Sequence, residues 1–453
     1  MHISRSARVL ATGLTVFALS GALLPGTAGA AVRVGQKCTK VGSKATSPTG
    51  VGLSCSAKKQ WAVAVQPTVP APVATAPAAL SKNAAACVTG TAPETDLFPD
   101  KARITDATGL SITYSKNYKV VRVPRPWAAA KSGFTYVLVQ CGTKAPALSG
   151  DLSGATVIQV PVQRAAIMST VYAPEFDAVG QADRIVSVDS PEYYSTPSVV
   201  KRIESGAIKG TGSGSSANVE MLVGLKPDVV MTYSTSAGSF SGVDKLISAG
   251  LPVVLEASYL EESPLGRAEW VKLVGALTNQ EAKAESEYSR WRTDYKTLAT
   301  RAAATKTRPV VISGSMFQGT WFMPGGKSFP AQLIRDAGGS YPWETDTTSG
   351  SIALDFEAVV SKAYDATVWI NAGYLWNTMR DLVKEDARYA RMNPYVTGNV
   401  FGNDKRVNDT GGSDYFETAV VRPDLVLKDL VSVLHPELVP DHSRIWYRQI
   451  PRS

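Results

Sequence analysis

The residues of this chain best placed to do chemistry are aromatic and polar side chains that directly follow short apolar runs. Tyr172, Glu192, Tyr193 and Tyr233 hold such places in the first half, and Met316, Gln318, Trp321, Tyr374, Trp376, Arg406 and Tyr415 in the second. Ligands bind open α/β sheets at the carboxyl ends of the strands, so these residues are the expected ligand contacts. Aromatic walls suit a flat or macrocyclic ligand, and the guanidinium of Arg406 would take anionic oxygens in its planar fork. Nucleophilic catalysis finds no support, because the sequence contains no G-x-S-x-G and no cysteine paired with a histidine. His435 and His442, with Glu437 and Asp441 between them, are poor metal ligands, since Pro436 and Pro440 break any helix that would align them. No resident metal or cofactor is expected. The rival class is a secreted carbohydrate-active or other hydrolase using a carboxylate pair, because any two of the many acids could converge.

The elements that must position these residues alternate in type. Ser111–Tyr114, Lys119–Val123 and Tyr136–Gln140 read as β-rich segments. Val157–Val162, Arg184–Val188 and Asp228–Thr232 are apolar runs, each followed by polar or helical sequence, and Pro309–Ser313, Thr367–Asn371 and Asn399–Phe401 repeat the pattern. This alternation predicts parallel sheets in an α/β fold. Ser263-Pro264 predicts a helix start, and Thr278 with Glu281 matches a capping box opening a second helix. Along that helix Ala284, Tyr288, Trp291, Tyr295, Leu298 and Ala302 recur at helical spacing, marking one long apolar face able to cross from one part of the fold to another.

Composition and charge bound the rest. The chain has 453 residues, 44% hydrophobic and 19% charged, which describes a core-building globular protein of more than one unit. Nine basic residues precede the first acid, Glu94, so a net charge of +8 leaves about −1 for everything after it. The body is therefore nearly neutral and carries no stripe suited to nucleic acid. Residues 1–30, with Arg5 and Arg8 ahead of an apolar stretch and small residues at its exit, read as a signal peptide and predict a secreted protein. Residues 31–63 form a small basic module, and Pro- and Ala-rich 64–86 reads as a linker. An oxidising compartment favours disulfides among the four cysteines. Of the three pairings possible, the local one, Cys38 with Cys55 and Cys87 with Cys141, is expected. The one-sided charge of the arm suits an anionic cell-wall polymer, which would keep the protein associated with the cell envelope.

The motifs also carry a resemblance. Arg184-Ile-Val-Ser-Val, Asn218-Val-Glu-Met-Leu-Val-Gly-Leu-Lys-Pro-Asp-Val-Val and Ile247-Ser-Ala-Gly-Leu-Pro-Val-Val resemble the N-terminal lobe of the substrate-binding proteins of iron-siderophore and cobalamin ABC importers. Phe322-Met-Pro-Gly-Gly, Leu354-Asp-Phe-Glu-Ala-Val and Val421-Arg-Pro-Asp-Leu-Val-Leu-Lys-Asp-Leu are similar to the C-terminal half of a branch of that family. The resemblance runs from about Leu97 to the C-terminus. It implies two Rossmann-like lobes, 87–262 and 306–453, joined through connecting helices in 263–305 that include a long rigid one, with little closure on binding. It further implies a monomeric, non-catalytic protein that delivers a ferric siderophore or corrinoid to a membrane permease. Glu220 and Glu357 match the family's permease-docking glutamates, one on each lobe. The lipid-bearing cysteine usual in Gram-positive members is missing from the matching place.

Overall fold

The computed structural model describes residues 32–47, 52–63, 83–89, 95–213, 216–238, 240–372 and 376–453. The expected signal peptide, most of the expected linker and Tyr374 lie outside these residues. The chain divides into two compact units, 1–78 and 79–453.

In the first unit β1 (Lys44–Thr46), β2 (Gly52–Cys55) and β3 (Trp61–Val63) pair antiparallel in that order. Its buried apolar side chains are few, with Leu53 packed beside a Cys38–Cys55 disulfide. So small a core cannot offset chain entropy unaided, and the crosslink supplies what burial does not.

The second unit begins by tying down its own N-terminus. Asn83, assigned to the linker by composition, is buried, and its amide donates to the Glu281 carboxylate (2.8 Å) and to Asp100 O (2.8 Å). Cys87 bonds to Cys141, and the Val88 N–H donates to Cys141 O (3.0 Å). Gly142 follows with φ +87, where a Cβ would meet Val88 O at 1.9 Å, so only glycine fits that approach.

The β-rich segments form a sheet of their own: β4 (Ser111–Tyr114), β5 (Tyr118–Val123), β6 (Phe134–Gln140) and β7 (Thr156–Val160), in sequential order. The run Val157–Val162 thus belongs here rather than to the first parallel sheet. That sheet is built from β8 (Ala165–Ile167), β9 (Ile185–Val188), β10 (Lys209–Gly210), β11 (Val229–Thr232) and β12 (Val253–Leu255), all parallel, in the order β10-β9-β8-β11-β12. Its central strand, β8, was hidden in sequence because it is three residues long and has no flanking turn signal of its own. In the second half β13 (Val311–Ser313) is followed by an antiparallel set, β14 (Met316–Phe317), β15 (Thr320–Pro324) and β16 (Ser351–Leu354). Then β17 (Val368–Ile370), β18 (Val400–Gly402) and β19 (Arg448–Gln449) complete a sheet ordered β13-β17-β18-β19, parallel except for β19.

Two α/β halves thus each have a core, and the helix Glu281–Ala303 serves both. Ala284, Tyr288 and Trp291 pack into the first core, and Tyr295, Leu298 and Ala302 into the second. The apolar spacing read from sequence is the buried face of this helix. Its start differs from expectation. The helix Val271–Thr278 ends at Thr278, whose hydroxyl donates to Val274 O (2.7 Å), and Asn279 turns left-handed at φ 56. No capping box forms there, because Glu281 turns inward to a buried ion pair with Lys119. The Lys119 ammonium also donates to Ala276 O (2.6 Å) and Asn279 Oδ1 (2.7 Å) and lies over the Phe98 ring. The other expected start is formed as read: Ser263 Oγ accepts the Gly266 N–H (2.8 Å) with Pro264 at the first position.

Candidate functional site

The carboxyl ends of β8, β11 and β12 in the first half and of β17 and β18 in the second supply the side chains of one polar cluster. Tyr172 and Glu175 come from the helix Tyr172–Ala178 just after β8, and Glu256 follows β12 directly. All three are buried. Among the described residues Tyr172 Oη and Glu175 Oε2 have no hydrogen-bond partner, whereas Glu256 Oε1 accepts the Ser258 N–H (2.9 Å). Burial raises the Glu175 carboxyl well above the usual carboxylate range, and the neighbouring Glu256 adds to it. Glu256 is likewise pushed up by burial, to about 7. Tyr233 lies within electrostatic reach of Tyr172, stands on Tyr259 edge to face, and walls a pocket of ≈ 200 Å³ together with Met168, Thr232 and Ser234.

Arg267 links this cluster to the other half. It rides on the short helix Pro264–Ala268, which its serine cap and the tight seat of Gly266 hold against Ser263 and Asp106. The guanidinium stacks over Phe329 of the second half (4.1 Å) and has Glu256 on one side and Tyr415 on the other as charged or titratable neighbours. Its Nε is buried without an acceptor, an omission that costs about 1 to 3 kcal/mol. On the far side the Tyr415 and Tyr447 hydroxyls share a hydrogen bond (3.1 Å), and Tyr447 donates to Asn371 Oδ1 (2.9 Å).

Other expected contacts fall elsewhere. Arg406 already has an anionic partner, its Nη1 lying 3.1 Å from Asp414. Trp321 is a core residue rather than a cleft wall: it is 0% exposed, packs on Trp369 and Tyr389, and donates to Ser313 O (2.8 Å). Trp376 is also enclosed, donating to Glu385 Oε2 (2.8 Å). The Met316 N–H is taken by Tyr389 Oη (2.8 Å), and Gln318 sits exposed at the β14–β15 turn with φ 50. Glu192 and Tyr193 are exposed where the halves meet, and Glu192 O accepts from Asn408 Nδ2 (2.9 Å) and from Thr410 Oγ1. Beside them Glu417, from the second half, accepts the Ser195 and Thr196 N–H groups (2.7 Å each). Glu175, Glu256 and Arg267 are the polar residues that sequence reasoning missed. The strand-end rule would have found Glu256, which follows Val253–Leu255 directly.

His435 and His442 both have partners in the second half. His442 Nε2 meets Asp429 Oδ1 at 2.6 Å, in a carboxylate that also gathers the N–H groups of Ile445, Trp446 and Tyr447, while His435 is buried against Gly338 O. Among the described residues no group of three or more His, Cys, Asp or Glu is arranged to hold a metal ion.

Residues 166–407 match the family model for periplasmic binding proteins, which is more than half of the chain. The chain belongs to that family. A periplasmic binding protein is an extracytoplasmic, non-catalytic component of an ABC importer. Among its relatives, an uncharacterised lipoprotein of Methanocaldococcus jannaschii is 26% identical over 296 residues, 62% of this chain and 67% of that one. A cobalamin-binding protein of Halobacterium salinarum is 29% identical over 225 residues, covering 49% and 58%. A solved heme-binding protein of Pseudomonas aeruginosa superposes with TM-score 0.48 at 16% identity, covering 64% of this chain and 99% of its own.

The acid pair of this binding protein gives it a pH signature. Folding raises the Glu256 carboxyl from its unfolded range near 4.5 to about 7, so the folded chain holds the proton more tightly. That contribution to stability is present in full below the unfolded pKa and is lost as pH rises through about 7. The ligand-free protein is therefore expected to lose on the order of 2 kcal/mol between pH 5.5 and 8.5, measured by urea unfolding. Glu256→Gln should reduce that slope without abolishing it, because burial also pushes Glu417 up to about 7 and Glu175 well above the usual range, and a wild-type profile flat across this window would show that these acids are not protonated on folding.

Proposed function

We propose that the protein captures a metal chelate, either a ferric siderophore or a corrinoid, in the cleft between its two halves and hands it to an ABC permease while held at the cell envelope. The observation that carries this reading is the set of unpaired polar groups, Tyr172, Glu175 and Arg267, gathered where the strand ends of both halves meet. Folding leaves such groups unsatisfied at a cost, and a ligand that satisfies them recovers it. Exposed Tyr233 beside the pocket supplies the aromatic wall that a macrocycle or flat chelate would stack on. The cobalamin-binding relative supports a corrinoid as one of the two ligand classes.

The test is a titration of the purified chain with ferric siderophores, haem and cobalamin, following tryptophan fluorescence and melting temperature. A true ligand present at about 100 times its Kd should add about 2.7 kcal/mol of apparent stability. Absence of any shift with every chelate and corrinoid would remove the reading.

A further inference from the structure

We propose that Arg267 anchors an oxyanion carried by the ligand, a carboxylate or a phosphodiester at the periphery of the chelate. This rests on the function proposed above and adds to it the chemical class that the cleft floor selects. The assignment begins with what the other arginines of the region do. Arg406 is paired with Asp414, Arg422 with Asp424 and Arg448 with Asp404, each within ion-pair distance. Among the described residues Arg267 has neither an ion pair nor a side-chain hydrogen bond, and its one close partner is the face of Phe329.

A guanidinium stacked on a ring keeps its N–H edge available in the ring plane, and that planar fork matches two oxygens of one anion. Its position is fixed from both sides. Ser263 caps the helix that bears it, and Glu261, two residues before that cap, is locked by the Thr108 and Gly109 N–H groups and by Trp270 Nε1. The surroundings favour an acceptor as well. Among the described residues Tyr172 brings an unpartnered hydroxyl, and burial pushes the Glu175 carboxyl well above the usual carboxylate range, which favours its neutral, donating form over a repelling carboxylate. Glu256 and Glu261 face the arginine without reaching ion-pair distance, which holds the cation in place electrostatically while leaving its donors unused. A ligand whose outer surface is wholly cationic would meet this floor donor against donor.

The experiment compares wild type, Arg267→Lys and Arg267→Gln with four probes: haem, haem dimethyl ester, cyanocobalamin and the cationic ferric trihydroxamate ferrioxamine B, which carries no free oxyanion. Tryptophan quenching gives Kd, and melting of the unliganded variants controls for folding. At least one of haem and cyanocobalamin should bind, Arg267→Gln should weaken it by about 10- to 100-fold, and Arg267→Lys should fall between. If haem is the one bound, its ester should bind wild type about 10- to 100-fold more weakly than haem does, a comparison that needs no altered protein. Unchanged affinity in Arg267→Gln, or ferrioxamine B binding tightest and indifferent to the substitution, would overturn the proposal while leaving chelate capture standing. Binding of none of the probes, or of any further ferric siderophore, would overturn both.

Discussion

Alanine at both Glu220 and Glu357 is expected to reduce uptake by a reconstituted importer to background while leaving ligand affinity unchanged. Each glutamate lies exposed in the first turn of a seven-residue helix, Val219–Leu225 in one half and Phe356–Lys362 in the other. Both turns are tied back to strand ends of their own half. The Asn218 N–H donates to Thr211 O, and the Thr211 N–H to Val188 O at the carboxyl end of β9, while Leu354, just before the second helix, pairs with Trp321, whose indole reaches Ser313 O at the end of β13. Neither helix depends on its glutamate for a cap, because Asn218 accepts the Met221 N–H (2.9 Å) and Asp355 the Ala358 N–H (2.7 Å). What folding loses is the dipole interaction, about 0.3 to 1 kcal/mol each, too little to unfold the protein. The exposed approach of Arg388 to Glu357 adds little to that. Paired, solvent-facing carboxylates at matched places on two halves suit basic side chains of a two-fold permease. Weakened ligand binding in the double variant, or normal uptake, would refute the docking assignment.

The largest effect on stability is expected at Lys119. Its ammonium and the Glu281 carboxylate are both 0% exposed, and burial pulls the lysine pKa down and pushes the glutamate up. Lys119→Met leaves Glu281 in an apolar site with the Asn83 amide and its own backbone N–H but no cation, at a cost of about 3 to 5 kcal/mol. Changing both, as Lys119→Met with Glu281→Leu, should recover much of that, because an apolar pair of similar volume is often as stable as a buried ion pair. Urea unfolding of the two single variants and the double variant measures the coupling. A double variant as unstable as the sum of the singles would mean the two groups act independently.

Much of the scaffold was legible because periodicity is a property of the chain itself. The face from Ala284 to Ala302, the strand ends at Tyr114, Val123, Val188 and Thr232, and the serine cap at Ser263 all follow from local pattern. Thr278 and Glu281 show where local pattern fails. Their spacing fits a capping box, but a buried lysine 162 positions earlier in the chain claims the glutamate. The expected contacts were legible only in part. Tyr233 directly follows Val229–Thr232 as read, Tyr172 follows β8 rather than the run read before it, Tyr415 lies in the short turn Asp414–Phe416 well past Val400–Gly402, and Arg406 and Trp321 have partners that only tertiary packing reveals. Arg267 was missed for the converse reason: nothing in sequence distinguishes an arginine with an acid beside it from one without.

A helix that belongs to two cores makes the halves interdependent. Ala284, Tyr288 and Trp291 complete one interior and Tyr295, Leu298 and Ala302 the other, and the exchange extends beyond the helix, since Leu265 lies in the second core and Val421 in the first. Neither half therefore owns a finished interior. A chain cut ahead of Glu281 would leave the first interior open along one wall, and the second half alone would keep a helix whose leading turns have nothing to pack on. Damage to either interior reaches the other through shared side chains, so the body is expected to melt in one calorimetric transition rather than as two modules in tandem.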